Sequence, residues 1–168
     1  MCAYCERSEA GLGGEEFFEI DHFRPLKRFP GQRTHYANLY NSCGPCNRHK
    51  GNAWPSDDLM ELGYRFADPC EEDLYVMHVN EAPNGTLGAR TRVGDYTCGH
   101  IRLNRQALVE WRREKRRIAS ELAALEAIAL EIGIKLDMTP GPAERLDIEQ
   151  RLAALQATIS KHRKRYGI

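Results

Sequence analysis

The sequence predicts an α+β fold in three parts: a small metal-stapled unit, a mixed connector, and a C-terminal antiparallel helical hairpin. Three observations predict it. Two CxxC pairs, Cys2 with Cys5 and Cys43 with Cys46, bracket a segment of roughly forty residues. Between them lies FFEIDHF, a run of bulky residues bounded by breakers that suits a short strand. The last third carries apolar residues at alternating steps of three and four, the period of a helical seam. The expected boundaries are 1–57 for the stapled unit, 58–103 for the connector and 104–168 for the hairpin.

At 168 residues the chain is long enough for one good core, or for a small stapled unit with a helical extension, and too short for two full-sized domains. Basic and acidic side chains number 24 each, so global charge points to no nucleic acid, membrane or acidic ligand. Any positive footprint is local. The start, MCAYCERSEAGLGG, lacks the basic and apolar regions of a leader, and no run approaches the about eighteen apolar residues of a spanning helix. A cytoplasmic protein with no membrane partner is expected. In a reducing compartment its six cysteines read as metal ligands or inert thiols rather than disulfides.

After the first cysteine pair and a glycine-rich loop, the strand residues and Pro25 suggest a hairpin from about Phe17 to about Phe29. A short helix is expected over Cys46–Ala53, stopped by Trp54-Pro55. The connector reads as a strand at Leu74–Val79, a turn at APNGT and a second strand near Ala89–Val93. Leu108, Trp111, Ile118, Leu122, Leu125, Ala129, Ile132 and Leu136 then trace one face of a helix from about Asn104 to about Leu136, interrupted at Lys115. MTPGPAE breaks it, and Ile148, Leu152, Leu155 and Ile159 repeat the stepping, so the short connection favours an antiparallel return. The basic tail KHRKRYGI reads as a solvated helix end complementing the macrodipole.

Doubled CxxC spacing lets both thiolates of each pair face one metal, which suits a tetrahedral zinc held by Cys2, Cys5, Cys43 and Cys46. A closed four-thiolate shell leaves no open position, so this zinc staples and does no chemistry. Cys70 and Cys98, with His78 and His100 nearby in sequence, are read as buried free thiols rather than a second metal site. Trp111 is read as core.

Between the cysteine pairs, Asp21 and His22 are adjacent on a strand, so their side chains leave opposite faces unless the strand ends there. From His22 to Lys50 there is no acidic residue, while Arg24, Lys27, Arg28, Arg33, Arg48 and Lys50 are basic. This local positive stretch fits phosphate contact or a solvated loop. Lys50 lies one turn along from Asn47 on the same helical face, where it meets phosphate or solvent. His49 points to roughly the opposite face.

The order DH, NLYNSC and CxxCNxxK over Cys2 to Gly51 resembles the HNH nuclease family, whose ββα-metal finger is often stapled by a four-cysteine zinc. The resemblance implies DNA as substrate and His22 as the general base that takes a proton from the attacking water. It implies Asp21 and Asn47 as ligands of a catalytic divalent ion, and Asn38 as the residue holding the histidine's loop. With an amide and a carboxylate as hard oxygen donors, magnesium or manganese is expected in that place. Arg24, Lys27, Arg28, Arg48 and Lys50 are the expected nucleic-acid contacts, Arg24 being either a phosphate clamp or a structural salt bridge.

HFRP, FADPCEED and TCGHIRLNRQALVEWRR look, more loosely, like the HNH subgroup encoded in bacterial antiphage systems, including Septu-type and retron-linked nucleases. That resemblance implies a hairpin used for docking a partner such as an ATPase, or for homo-oligomerisation; the alternative is a hairpin that enlarges a minimal core. The functional readings are a sequence-relaxed, metal-dependent DNA endonuclease, a non-catalytic zinc-binding adaptor for nucleic acid or protein, and an RNA-cutting toxin with the same site.

Overall fold

In the computed structural model, which describes residues 1–139 and 141–168, the chain forms two units, Met1–Arg113 and Glu114–Ile168. The division falls inside one helix, whereas the sequence reading set its boundaries at 57 and 103.

The first unit opens with α1 (Glu9–Leu12), capped by the Ser8 hydroxyl and closed at Gly13, whose φ of 105° suits a residue without a Cβ. β1 (Phe18–His22) pairs antiparallel with β2 (Leu39–Cys43), with Phe18 opposite Cys43 and His22 opposite Leu39. The hairpin is therefore wider than the expected Phe17–Phe29. Pro25 and Pro30 have no N–H to give a ladder, and the Pro25 carbonyl instead accepts from Arg28 and Phe29 at 3.0 and 2.9 Å. The chain makes a long excursion before it returns at Leu39.

α2 (Gly44–Lys50) follows β2 directly, earlier than the expected Cys46–Ala53. Pro45 fits its first turn, where no N–H is needed, and Gly51 ends it. Two strands and a helix thus form the expected finger, with the four cysteines at its base.

The connector departs further from expectation. After α3 (Asp57–Glu61), capped by Ser56, comes α4 (Leu74–Met77) where a strand was expected. Asp73 accepts from the Tyr75 and Val76 N–H groups at 2.8 and 3.0 Å, and this cap outweighs the β propensity of the run. β3 (Val79–Glu81) pairs with β4 (Leu87–Ala89) across the APNGT turn, where Gly85 has φ 83°. The strand expected near Ala89–Val93 ends at Ala89, because Thr91 caps α5 (Arg92–Ile101) by accepting from Gly94 at 3.1 Å. Arg102 closes α5 in the left-handed region, so the long helix α6 (Gln106–Met138) starts after an elbow rather than continuously.

Finger and connector share one core. Phe23 meets both Tyr40 and Trp54 edge to face, Phe66 follows at 6.5 Å from Trp54, and Tyr96 packs 5.0 Å from Phe66. Tyr4, Val79, Ile101, Leu103 and Leu108 complete it. Arg112, almost fully buried, donates to the Gly85 carbonyl at 2.6 Å and to that of Leu103 at 2.8 Å, tying the β3–β4 turn to the elbow. Of the two lone cysteines, Cys98 is buried as expected and burial pushes its thiol up to about 11, whereas Cys70 is exposed. Among the described residues no second metal-ligating group forms.

In the second unit, α7 (Pro142–Tyr166) turns back on α6, giving the expected helical hairpin. Ile118, Leu122, Ile159 and Tyr166 are buried between the helices, with Leu125, Ala129 and Leu155 against them. Arg163 pairs with Glu126 at 2.7 Å. The breaker MTPGPAE includes Pro140, which lies outside the described residues.

Glu72 ties the connector together, pairing with Arg65, with His78 at 2.8 Å and with the Asp68 N–H at 2.9 Å. Chiefly the Arg65 pair holds its carboxyl down to about 2, from an ordinary 4.5. A depressed carboxyl adds stability that is present above its unfolded pKa and lost as pH falls through its folded one. Glu72→Gln is therefore expected to flatten the loss of stability between pH 4.5 and about 2, read from denaturant midpoints at stepped pH.

Candidate metal centre and active site

Cys2 and Cys5 lie in the N-terminal turn, Cys43 ends β2, and Cys46 sits in the first turn of α2. A backbone bond from Ala3 to the Asn41 carbonyl, 2.9 Å, lays the first pair beside the second. All four are at most 1 % exposed, and their sulfurs lie within 4.8 Å of one another. A zinc with bonds of ~2.3 Å sets tetrahedral sulfurs about 3.8 Å apart. The Cys5 and Cys43 sulfurs stand at 3.8 Å. Donor chemistry and spacing both fit a closed zinc site.

At the far end of β1 the strand period sends Asp21 inward and His22 outward. Asp21 is 3 % exposed, and both its oxygens are engaged. The Lys50 ammonium stands 3.0 Å from one and 2.9 Å from the other, and the Tyr4 hydroxyl donates to the second. Lys50 also donates to the His22 carbonyl at 2.8 Å. The expectation that Lys50 meets phosphate or solvent is thus corrected: it is 1 % exposed and spans from α2 to β1. Burial lowers its pKa, with Asp21 opposing, while burial and then Asp21 raise that of Tyr4.

The same contacts bear on the divalent ion expected on Asp21 and Asn47. An ammonium already lies against the carboxylate where a cation would bind, and the Asn47 amide donates to Glu19 at 2.7 Å. Asp21 and Asn47, arranged in this way, do not fit such an ion. Glu19 was not anticipated, although the strand period places it two residues from Asp21 on the same face.

His22 is partly exposed, and its Nε2 lies 3.0 Å from the Arg33 carbonyl. A carbonyl only accepts, so Nε2 is the donor here, and in the neutral imidazole the lone pair is then on Nδ1. Asn38, 3 % exposed, brackets the loop between: Oδ1 accepts from the Arg24 N–H at 2.7 Å, and Nδ2 donates to the carbonyls of Arg24 at 3.1 Å and Gln32 at 3.3 Å.

Arg24 and Lys27 are exposed just beyond the strand. Arg28 is tied back to the Pro55 carbonyl at 2.7 Å and to Asp57 at 2.8 Å. Arg48 is exposed and 3.9 Å from Glu19. His49 is held below the ordinary histidine range by burial and then by Arg105, Arg102 and Arg48. Trp111 is partly buried beneath the Arg7 guanidinium.

Lys50→Met is expected to lower stability by about 3–5 kcal/mol, because it leaves the Asp21 carboxylate buried and unpaired. Adding Asp21→Leu should return part of that loss, measured as denaturant midpoints of the zinc-loaded protein.

Residues 2–53, roughly a third of the chain, match the family model described as HNH endonuclease. No curated protein and no solved structure matches the chain. The strand bearing Asp21 and His22, its partner and the cysteine-anchored helix all lie inside the segment that is similar to the HNH endonuclease family.

Proposed function

We propose that this protein is an endonuclease that hydrolyses DNA phosphodiester bonds with His22 as its general base. The observation that carries the reading is the His22 imidazole at the open end of β1, fixed at Nε2 by the Arg33 carbonyl so that Nδ1 is free to accept a proton. Water loses its proton to Nδ1 while its oxygen attacks phosphorus. The bond from phosphorus to the 3′-oxygen breaks, and the departing oxygen takes a proton from bulk solvent, giving 5′-phosphate and 3′-hydroxyl ends. Arg24 and Lys27, exposed at the mouth of the same loop, supply charge-assisted contacts to phosphate oxygens. Because such contacts carry affinity without reading bases, cleavage is sequence-relaxed.

The magnesium or manganese expected on Asp21 and Asn47 finds no free oxygen pair there, because Lys50 lies on the carboxylate and the amide is turned to Glu19. Asp21 acts from beneath: with Lys50 it fixes the carbonyl of His22 and so the end of the strand. Asn38 keeps the loop that follows in place.

The looser resemblance of HFRP, FADPCEED and TCGHIRLNRQALVEWRR supports a place in a bacterial antiphage system. The helical hairpin would then dock an ATPase subunit. Ile128, Leu130, Ile134 and Met138 are exposed on it, which favours an added partner over a closed core.

The deciding experiment is nicking of supercoiled plasmid by wild type and His22→Ala, both zinc-loaded, with magnesium or manganese added or chelated. Wild type is expected to cut, and the variant to lose at least 100-fold in rate with zinc content unchanged (about 10²–10⁴-fold for a general base). Equal cutting by both would remove His22 from the reaction, and no cutting by either in any metal condition would overturn the nuclease reading.

A further inference from the structure

We propose that Arg105 is part of the zinc centre, a positioning residue that neutralises and orients the Cys46 thiolate from the α5–α6 elbow. Its Nη2 lies 3.1 Å from the Cys46 sulfur, across 59 residues of sequence. Among the described hydrogen bonds it is the one charged donor to a cluster sulfur; the neutral Ser42 hydroxyl lies 3.9 Å from the Cys2 sulfur. The guanidinium is aimed by the elbow itself, since Nη1 donates to the carbonyls of Ile101 and Arg102 at 3.2 Å each. Ile101 and Leu103 on either side are fully buried, so the elbow is set by the core.

The chemistry follows from charge. Zinc on four thiolates carries a net charge of about −2 in a site that water scarcely reaches. A cation hydrogen-bonded to one sulfur offsets that charge, draws electron density from the thiolate and lowers its reactivity toward electrophiles. Arg105 lies outside the matched family segment, which ends at residue 53, so the α5–α6 elbow completes a site begun by the finger. This inference rests on the four-cysteine cluster holding zinc and is independent of whether the protein cuts DNA.

The test is zinc affinity of the full-length protein, by competition against a chromophoric chelator, for wild type, Arg105→Gln, Arg105→Lys and Arg102→Ala. Outer-shell partners typically change metal affinity by about 10–100-fold, so Arg105→Gln is expected to weaken zinc binding about tenfold, with Arg105→Lys between it and wild type. Arg102→Ala, which removes a neighbouring charge but keeps the backbone carbonyls that aim Arg105, should match wild type. Cobalt-loaded Arg105→Gln should show a shifted thiolate-to-metal charge-transfer band. Affinity of Arg105→Gln within twofold of wild type overturns the proposal, as does an equal loss in Arg102→Ala. If the glutamine variant does not fold, Arg105→Lys decides: a moved cobalt band supports the assignment and an unmoved one overturns it.

Discussion

A single buried ion pair sits at the junction on which the candidate site depends. Lys50 closes α2, and its ammonium reaches the Asp21 carboxylate and the His22 carbonyl on β1. Both charges are out of water, so each alone would be expensive; together, with the Tyr4 hydroxyl completing the carboxylate, they are satisfied. The pair makes strand and helix one body at the end where the outward histidine leaves. The cysteine cluster does the corresponding work at the other end, joining the N-terminal turn, β2 and the first turn of α2. The finger is thus fixed by thiolates at its base and by a salt bridge at its tip.

Beyond the salt bridge the backbone is free to be irregular. The excursion from Phe23 to Asn38 has no ladder of its own, and Asn38 replaces one by holding Arg24 on both sides and Gln32 on a third bond. Its exposed cations therefore project from a braced loop, and the Arg33 carbonyl that orients His22 comes from the same loop. Other arginines of this unit work inward: Arg28, on the same excursion, secures the start of α3, and Arg112 the β3–β4 turn. Several basic side chains of this unit are thus structural clamps.

The paired cysteines, the finger and the helical seam were legible because each rests on a spacing rule. Thiolates two residues apart converge on one metal, a strand alternates, and a helix returns every three to four residues. The connector was harder to read because short caps overrode propensity there: Asp73 turned an expected strand into α4, and Thr91 began a helix where a strand was expected. The partners of Asp21 were illegible for another reason. Tyr4 and Lys50 are 17 and 29 residues away from it, and only the folded packing decides whether a lysine beside an asparagine faces solvent or a carboxylate. Glu19 could have been found from the strand period alone.

The alternation at the end of β1 also sets which changes of length the gene can tolerate. Residues may be added or lost along the excursion so long as Asn38 still reaches Arg24, because no pairing register runs through it. A one-residue insertion or deletion within Phe18–His22 is different in kind. It would turn the imidazole toward Lys50 and the carboxylate toward solvent, exchanging the buried anchor and the outward imidazole in one step. Variation in length should therefore be permitted on one side of the Asp-His dipeptide and forbidden on the other, a boundary drawn between two adjacent codons.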